Sequence, residues 1–197
     1  MRKLYYTAFA AVLIFTACNN GEKKEETTTT EATAPAASSM PPASKLGEAN
    51  TQKLVAMVND YYALKDAMVA ANAAMADSAA QKLQASATDL MTAVKNDTAV
   101  YASMQPYFDT IVNSSKQIPA VKDETCEVKR VHFEKVSNGV YGIVKVADLK
   151  NAGIYREYCP MAFNDKGAYW LSNDPEIKNP YFGKKMLECG EVTDSLK

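Results

Sequence analysis

Cys159, Met161, Met186 and Cys189 are the side chains of this chain with the widest chemical reach. Tyr158-Cys159-Pro160-Met161 and Met186-Leu187-Glu188-Cys189 each place a thiol and a thioether in one short segment, beside Pro160 and Gly190. Such sulfurs are soft donors, which select Cu(I) and related ions over Mg or Ca. Cys159 and Met161 share a face if their segment is extended, and Met186 and Cys189 share one if theirs is a helical turn. Two such pairs, brought together, suit Cu(I). Zn(II) is the second choice and would draw on His132, Cys159 and Cys189 with a fourth ligand. His132, the single histidine, falls on the stripe of Val128, Val136, Gly139 and Ile143 and is expected to point inward. A buried imidazole needs a hydrogen-bond partner or a metal, so core residue and ligand both remain open.

The same sulfurs have a plainer use. Setting Cys18 aside for reasons given below, Cys126, Cys159 and Cys189 remain. In an oxidising compartment Cys159 and Cys189 can close a loop of about thirty residues, worth about 3–4 kcal/mol by loop entropy. Cys126, beside Phe133, reads as a small buried apolar group, and each methionine can serve as core filler. Asp123-Glu124 reads as a helix start and Asp174 with Glu176 as a loop cap, so neither pair resembles an acid–base dyad. No second histidine exists to activate a Ser or Cys, and no enzymatic role is expected.

The front of the chain sets the compartment. Arg2 and Lys3 precede a short apolar run from Leu4 to Thr16, the form of an export signal and too short to span a bilayer. Phe15-Thr16-Ala17-Cys18 resembles a bacterial lipobox, which implies residues 1–17 as signal peptide and Cys18 as the acylated first residue. Asn19 favours the outer membrane over the inner one, on either its periplasmic or its external face. Residues 18–46 are rich in Thr, Ala, Ser, Pro and charge, a composition unable to bury a core, and read as a tether. A net charge of −1 offers no basic face for nucleic acid.

Residues 47–197 are expected to form one domain. Leu54, Val58, Tyr61, Leu64 and Met68 recur at helical spacing, as do Ala79, Leu83, Ala87, Leu90 and Val94. Asn72 or Asp77-Ser78 marks the cap between them. A third helix carries Met104, Phe108, Ile111, Ser115 and Ile118; Pro106 either starts or kinks it, and Pro119 ends it. Asp123 is expected to cap a fourth, with Val128, Val131, His132, Val136, Val140, Ile143 and Ala147 along its apolar face. Short connections make a mainly α, four-helix up-down bundle the economical fold. Residues 151–192 then form a small irregular C-terminal lobe. In it Ile154–Phe163 and Ala168–Leu171 can pair as a β-hairpin about Asn164–Gly167, and Tyr158, Trp170, Tyr181 and Phe182 pack on the bundle.

The run Tyr158-Cys159-Pro160-Met161-Ala162-Phe163, Gly167–Ser172, Asn179-Pro180-Tyr181-Phe182-Gly183, Met186-Leu187 and Cys189-Gly190 resembles a domain of unknown function from Bacteroidota-type bacteria. Tyr61–Ala67 and Arg130–Val144 are similar too, so the likeness spans about Thr51 to Val192. That domain occurs as a stand-alone exported protein and as a C-terminal appendage of periplasmic adaptors of heavy-metal efflux pumps. The resemblance implies a copper- or silver-related role, an efflux adaptor as partner, and Cys159, Met161, Met186, Cys189 and His132 as candidate ligands.

Overall fold

The computed structural model describes residues 40–196. The signal peptide, Cys18 and most of the tether lie outside the described residues. Four long helices, α1 (Glu48–Val69), α2 (Ala73–Val94), α3 (Thr98–Ala120) and α4 (Lys129–Ala147), are followed by strands β1 (Ile154–Cys159), β2 (Ala168–Ser172) and β3 (Glu191–Leu196). Each helix packs on the next, and α4 also closes against α1. The bundle and the hairpin are as expected.

Local chemistry sets the helix ends. Asn72, not Asp77-Ser78, caps α2, accepting from the Met75 N–H at 3.0 Å, and Asp97 does the same for α3 through Val100 at 3.1 Å. Pro106 lies inside α3, so it is not at the start. Lacking an N–H, it leaves the Ala102 carbonyl without its helical donor. The helix then stops one residue beyond Pro119. Asp123 does not cap α4 directly. Its carboxylate accepts from the N–H groups of Thr125 and Val128 and from the Thr125 hydroxyl, holding a turn in which Cys126 takes φ 63°. Cys126 itself is fully buried, as expected.

The head of α4 differs from expectation. Val128 and Val131 are exposed, whereas Lys129 and Arg130 are buried. Carbonyls left over at other helix ends draw the two cations inward. Lys129 Nζ donates to Ile118 O at 2.8 Å and Val121 O at 2.6 Å, beside Asp77 at 2.7 Å. Arg130 donates to Met68 O at the end of α1. The last carbonyls of a helix lack intrahelical donors and carry partial negative charge, so a buried cation there is hydrogen-bonded and electrostatically favoured.

Expected apolar stripes otherwise form the core: Leu54, Tyr61, Leu64, Met68, Leu83, Leu90, Met104, Phe108, Ile111, Val140 and Ile143 are all sealed. Gly139 continues α4 without a break, because α3 leaves no room for a side chain there. An added Cβ would stand 2.7 Å from Ile111 Cγ1 and 3.3 Å from the Tyr107 carbonyl. Gly139→Val is therefore expected to destabilise the domain by about 1–3 kcal/mol through overpacking, outweighing the roughly 1 kcal/mol by which glycine disfavours a helix interior. Urea denaturation followed by circular dichroism measures it.

Residues 43–46, expected in the tether, are already docked: Ala43 pairs with Lys150, and the Lys45 N–H donates to Ala147 O at 2.8 Å. The three-stranded antiparallel sheet has the order β2-β1-β3. β3 was not anticipated. Its first five residues are exposed, so it shows no strong apolar alternation, and it is a strand because β1 supplies hydrogen-bond partners.

Candidate dithiol site in the C-terminal lobe

Burial alternates only in the second half of β1, where Glu157 and Cys159 are buried while Tyr158 faces the other way. Cys159 lies opposite Ala168 and Glu157 opposite Trp170. After Cys159 the chain turns sharply. Phe163, Asn164 and Asp165 take φ of 54°, 57° and 64° in succession, left-handed conformations that cost energy for side chains other than Gly. Gly167 follows at φ 76°, beneath the Tyr158 ring, where any Cβ would collide with the phenol.

Asn179 returns the second cysteine to this spot. Fully buried, it donates through Nδ2 to the Cys189 carbonyl at 2.7 Å and accepts from the Tyr181 N–H at 2.8 Å, while its own N–H donates to Leu187 O. Sequence reading took Asn179-Pro180 only as a turn. Its role as a clamp on the 187–189 segment depends on contacts between parts of the lobe that no spacing reveals. Arg130 fastens the same loop to the bundle, donating from Nε to Pro180 O at 2.7 Å.

Cys159 Sγ and Cys189 Sγ consequently stand 2.7 Å apart. Cys159 is sealed, and Cys189 is partly open to solvent. Cys189 is pushed up to about 11, first by its hydrogen bond with Cys159, then by burial and by the neighbouring sulfur's charge, against the opposing pull of the Met161 N–H and Asn179. Cys189 thus keeps its proton at neutral pH.

Of the expected ligands, then, Cys159 and Cys189 meet. Met161 is at hand through its backbone, with its side chain exposed. Met186 belongs to the same turn as Cys189, whose N–H donates to the Met186 carbonyl at 3.2 Å.

His132 does not join them. It is half-exposed rather than buried, and its pKa is lowered by burial and by Lys135. The lobe meets α4 through Arg130, which donates to Pro180 O, and Phe133, which packs on Tyr181. His132 lies about 130° round the helix from the midpoint of those two, at 100° per residue. Among the described residues, no three His, Cys, Asp or Glu side chains gather closely enough to hold an ion. The sulfurs also stand closer than metal ligands do: two thiolates at about 2.3 Å from a tetrahedral ion are about 3.8 Å apart. A shared metal would have to spread them.

The aromatic packing is largely as expected. Trp170 and Tyr181 meet edge to face at 5.9 Å, and Tyr181 rests on Phe133 of α4 at 5.7 Å. Tyr158 is the exception, packing on Tyr169 at 4.5 Å on the sheet's other side.

Beneath this lies a group that sequence reading missed. Glu157 is fully buried, and among the described residues both carboxyl oxygens lack a hydrogen-bond partner, as do Tyr62 OH and Trp170 Nε1. The indole N–H stands near the carboxyl without forming a well-aligned bond. Burial pushes Glu157 up to about 7, against the attraction of Lys65. Its position two residues before Cys159 on a strand was the available signal.

With this geometry in place, comparison with known proteins locates a family on the bundle. Residues 57–152 match a family described as a protein of unknown function, DUF3347. The match covers most of the helical bundle, from within α1 to just past α4. The match ends before β1, so the lobe with Cys159 and Cys189 lies outside the DUF3347 segment. No curated protein and no solved structure matches the chain.

Proposed function

We propose that the chain is a lipid-anchored, exported binding domain without catalytic chemistry, whose working element is the Cys159–Cys189 pair. The reading the geometry favours is a disulfide-stapled lobe that presents a fixed surface to another protein. The observation that carries it is the 2.7 Å approach of two sulfurs, nearer to a bond of about 2.05 Å than to two thiolates sharing a metal. Anchorage through Cys18 at the outer membrane, on its periplasmic or external face, rests on the lipobox-like sequence. A heavy-metal efflux adaptor as partner rests on the family resemblance.

Closing a loop between cysteines 30 positions apart adds about 3–4 kcal/mol by loop entropy. Air-oxidised full-length protein is therefore expected to yield a Cys159–Cys189 linked peptide and to lose about that much stability on reduction. Free Cys159 and Cys189 thiols in the oxidised protein and no change on reduction would overturn the staple.

A second reading gives the reduced pair a soft metal, Cu(I) first and Zn(II) second. It is favoured by Met161, whose N–H is directed at Cys189 while its thioether stays exposed. Two thiolates and a thioether fit Cu(I), with Met186 as a further donor. Cu(I) titration of the anaerobic, reduced protein against a competing chelator tests it. Unchanged affinity in both Cys159→Ser and Cys189→Ser would remove the metal.

A further inference from the structure

We infer that Cys189 is the exchange sulfur of this pair, the one that an external thiol or disulfide attacks or is attacked by, and that Cys159 is the buried resolving sulfur. The inference rests on the stapled reading and adds to it the direction and the class of co-reactant, a small thiol–disulfide couple. Thiol–disulfide exchange needs three sulfurs nearly in line, so access decides which protein sulfur takes part. Cys159 is fully buried at the end of β1, opposite Ala168, which is buried as well. Cys189 is partly open to solvent, and its two segments carry exposed apolar side chains, Met161 at 47% and Leu187 at 39%. Its hydrogen bond with Cys159 and burial push the Cys189 thiol up to about 11, so access, not a larger thiolate fraction, assigns the role.

In the oxidising direction, Cys189 as thiolate displaces one thiolate from an external disulfide, forming a Cys189 mixed disulfide. Cys159 then attacks Cys189 Sγ and expels the second external thiolate. The two protein thiol protons leave with the two external thiols, and the external disulfide is the oxidant. In the reducing direction an external thiolate attacks Cys189 Sγ, the Cys159–Cys189 bond breaks, and Cys159 is released into its buried seat. A second external thiolate then attacks the external sulfur of the Cys189 mixed disulfide, freeing Cys189 and leaving with the first as an external disulfide, so two electrons pass from two external thiols. The 2.7 Å separation makes the internal step fast once the mixed disulfide exists.

The test uses the full chain with glutathione disulfide as probe, and peptide mapping to assign each modified cysteine. Cys159→Ser is expected to accumulate a glutathione mixed disulfide on Cys189. Cys189→Ser is expected to modify Cys159 at least about tenfold more slowly, because exchange follows access. Cys126, buried in the bundle, stays unmodified in any variant that has folded. Should either variant expose it, reduced wild-type protein is pulsed with iodoacetamide instead, and Cys189 is expected to label first. Equal rates at the two positions, or faster reaction of Cys159, would overturn the inference. Failure of the wild type to give the linked peptide, with Cys189 still trapped in Cys159→Ser, would remove the staple and leave the assignment of the accessible sulfur standing.

Discussion

Arg130→Met is expected to destabilise the domain by about 3–5 kcal/mol, the largest loss from any single substitution in the lobe–bundle junction. The guanidinium is 5% exposed and has three backbone acceptors: Pro180 O at 2.7 Å, Thr125 O at 3.0 Å and Met68 O at 3.0 Å. Those carbonyls belong to the lobe, the turn before α4 and the end of α1. Methionine fills much of the space and supplies no donor, so all three carbonyls lose the guanidinium together, and Met68 O keeps only the Ala71 N–H at 3.2 Å. Lysine does not rescue the site, since a single ammonium on a flexible stem cannot reproduce a planar fork aimed at three directions. Chemical denaturation of Arg130→Met and Arg130→Lys measures both losses. A change under about 1 kcal/mol for Arg130→Met would show that water replaces the guanidinium there.

The second large effect concerns pH. Glu157 holds its proton up to about 7 in the folded chain and to about 4.5 in the unfolded one. Between those values the folded state binds more protons, so stability falls as pH rises through that window and levels off above it. The loss is at most about 3 kcal/mol. Glu157→Gln is expected to remove the slope and to be the more stable protein above pH 7. Urea denaturation of both proteins from about pH 5 to about pH 8 reads the difference directly.

Other groups act elsewhere or in the opposite sense. The N–H of Glu176 and Lys178 hold Asp174 below its ordinary value of 3.8, and hydrogen bonds from Thr125 and Val128 outweigh burial to lower Asp123. Both contribute stability above that range that is lost as pH falls through their folded values. His132, lowered from 6.5 by burial and Lys135, contributes stability at higher pH that is lost on acidification. Its slope opposes that of Glu157, and the difference between wild type and Glu157→Gln isolates the carboxyl. Parallel curves for the two proteins would show that Glu157 is ionised throughout.

Much of this architecture is legible in the chain. Leu54, Val58, Tyr61, Leu64 and Met68 are buried together because residues three and four apart lie on one side of a helix whatever the surroundings. Asn72 and Asp97 cap helices through their own side chains, a local matter. The hairpin of β1 and β2 follows from alternation and a turn, and the chemistry of Cys159 and Cys189 from their type alone.

What only the tertiary structure decided shares a different cause. Lys129 and Arg130 go inward while Val128 and Val131 stay out, because carbonyls at the ends of α1 and α3 offer the cations partners that no count along α4 reveals. β3 exists because β1 has a free edge. His132 misses the sulfurs because the lobe settles on another side of α4, where Arg130 and Phe133 receive it. The meeting of Cys159 with Cys189 rests on Asn179 and on three consecutive left-handed residues. Side-chain type and short-range spacing thus determined which groups could react, and long-range hydrogen bonding determined which of them met, since a backbone acceptor's free lone pair depends on where its helix or strand ends in space.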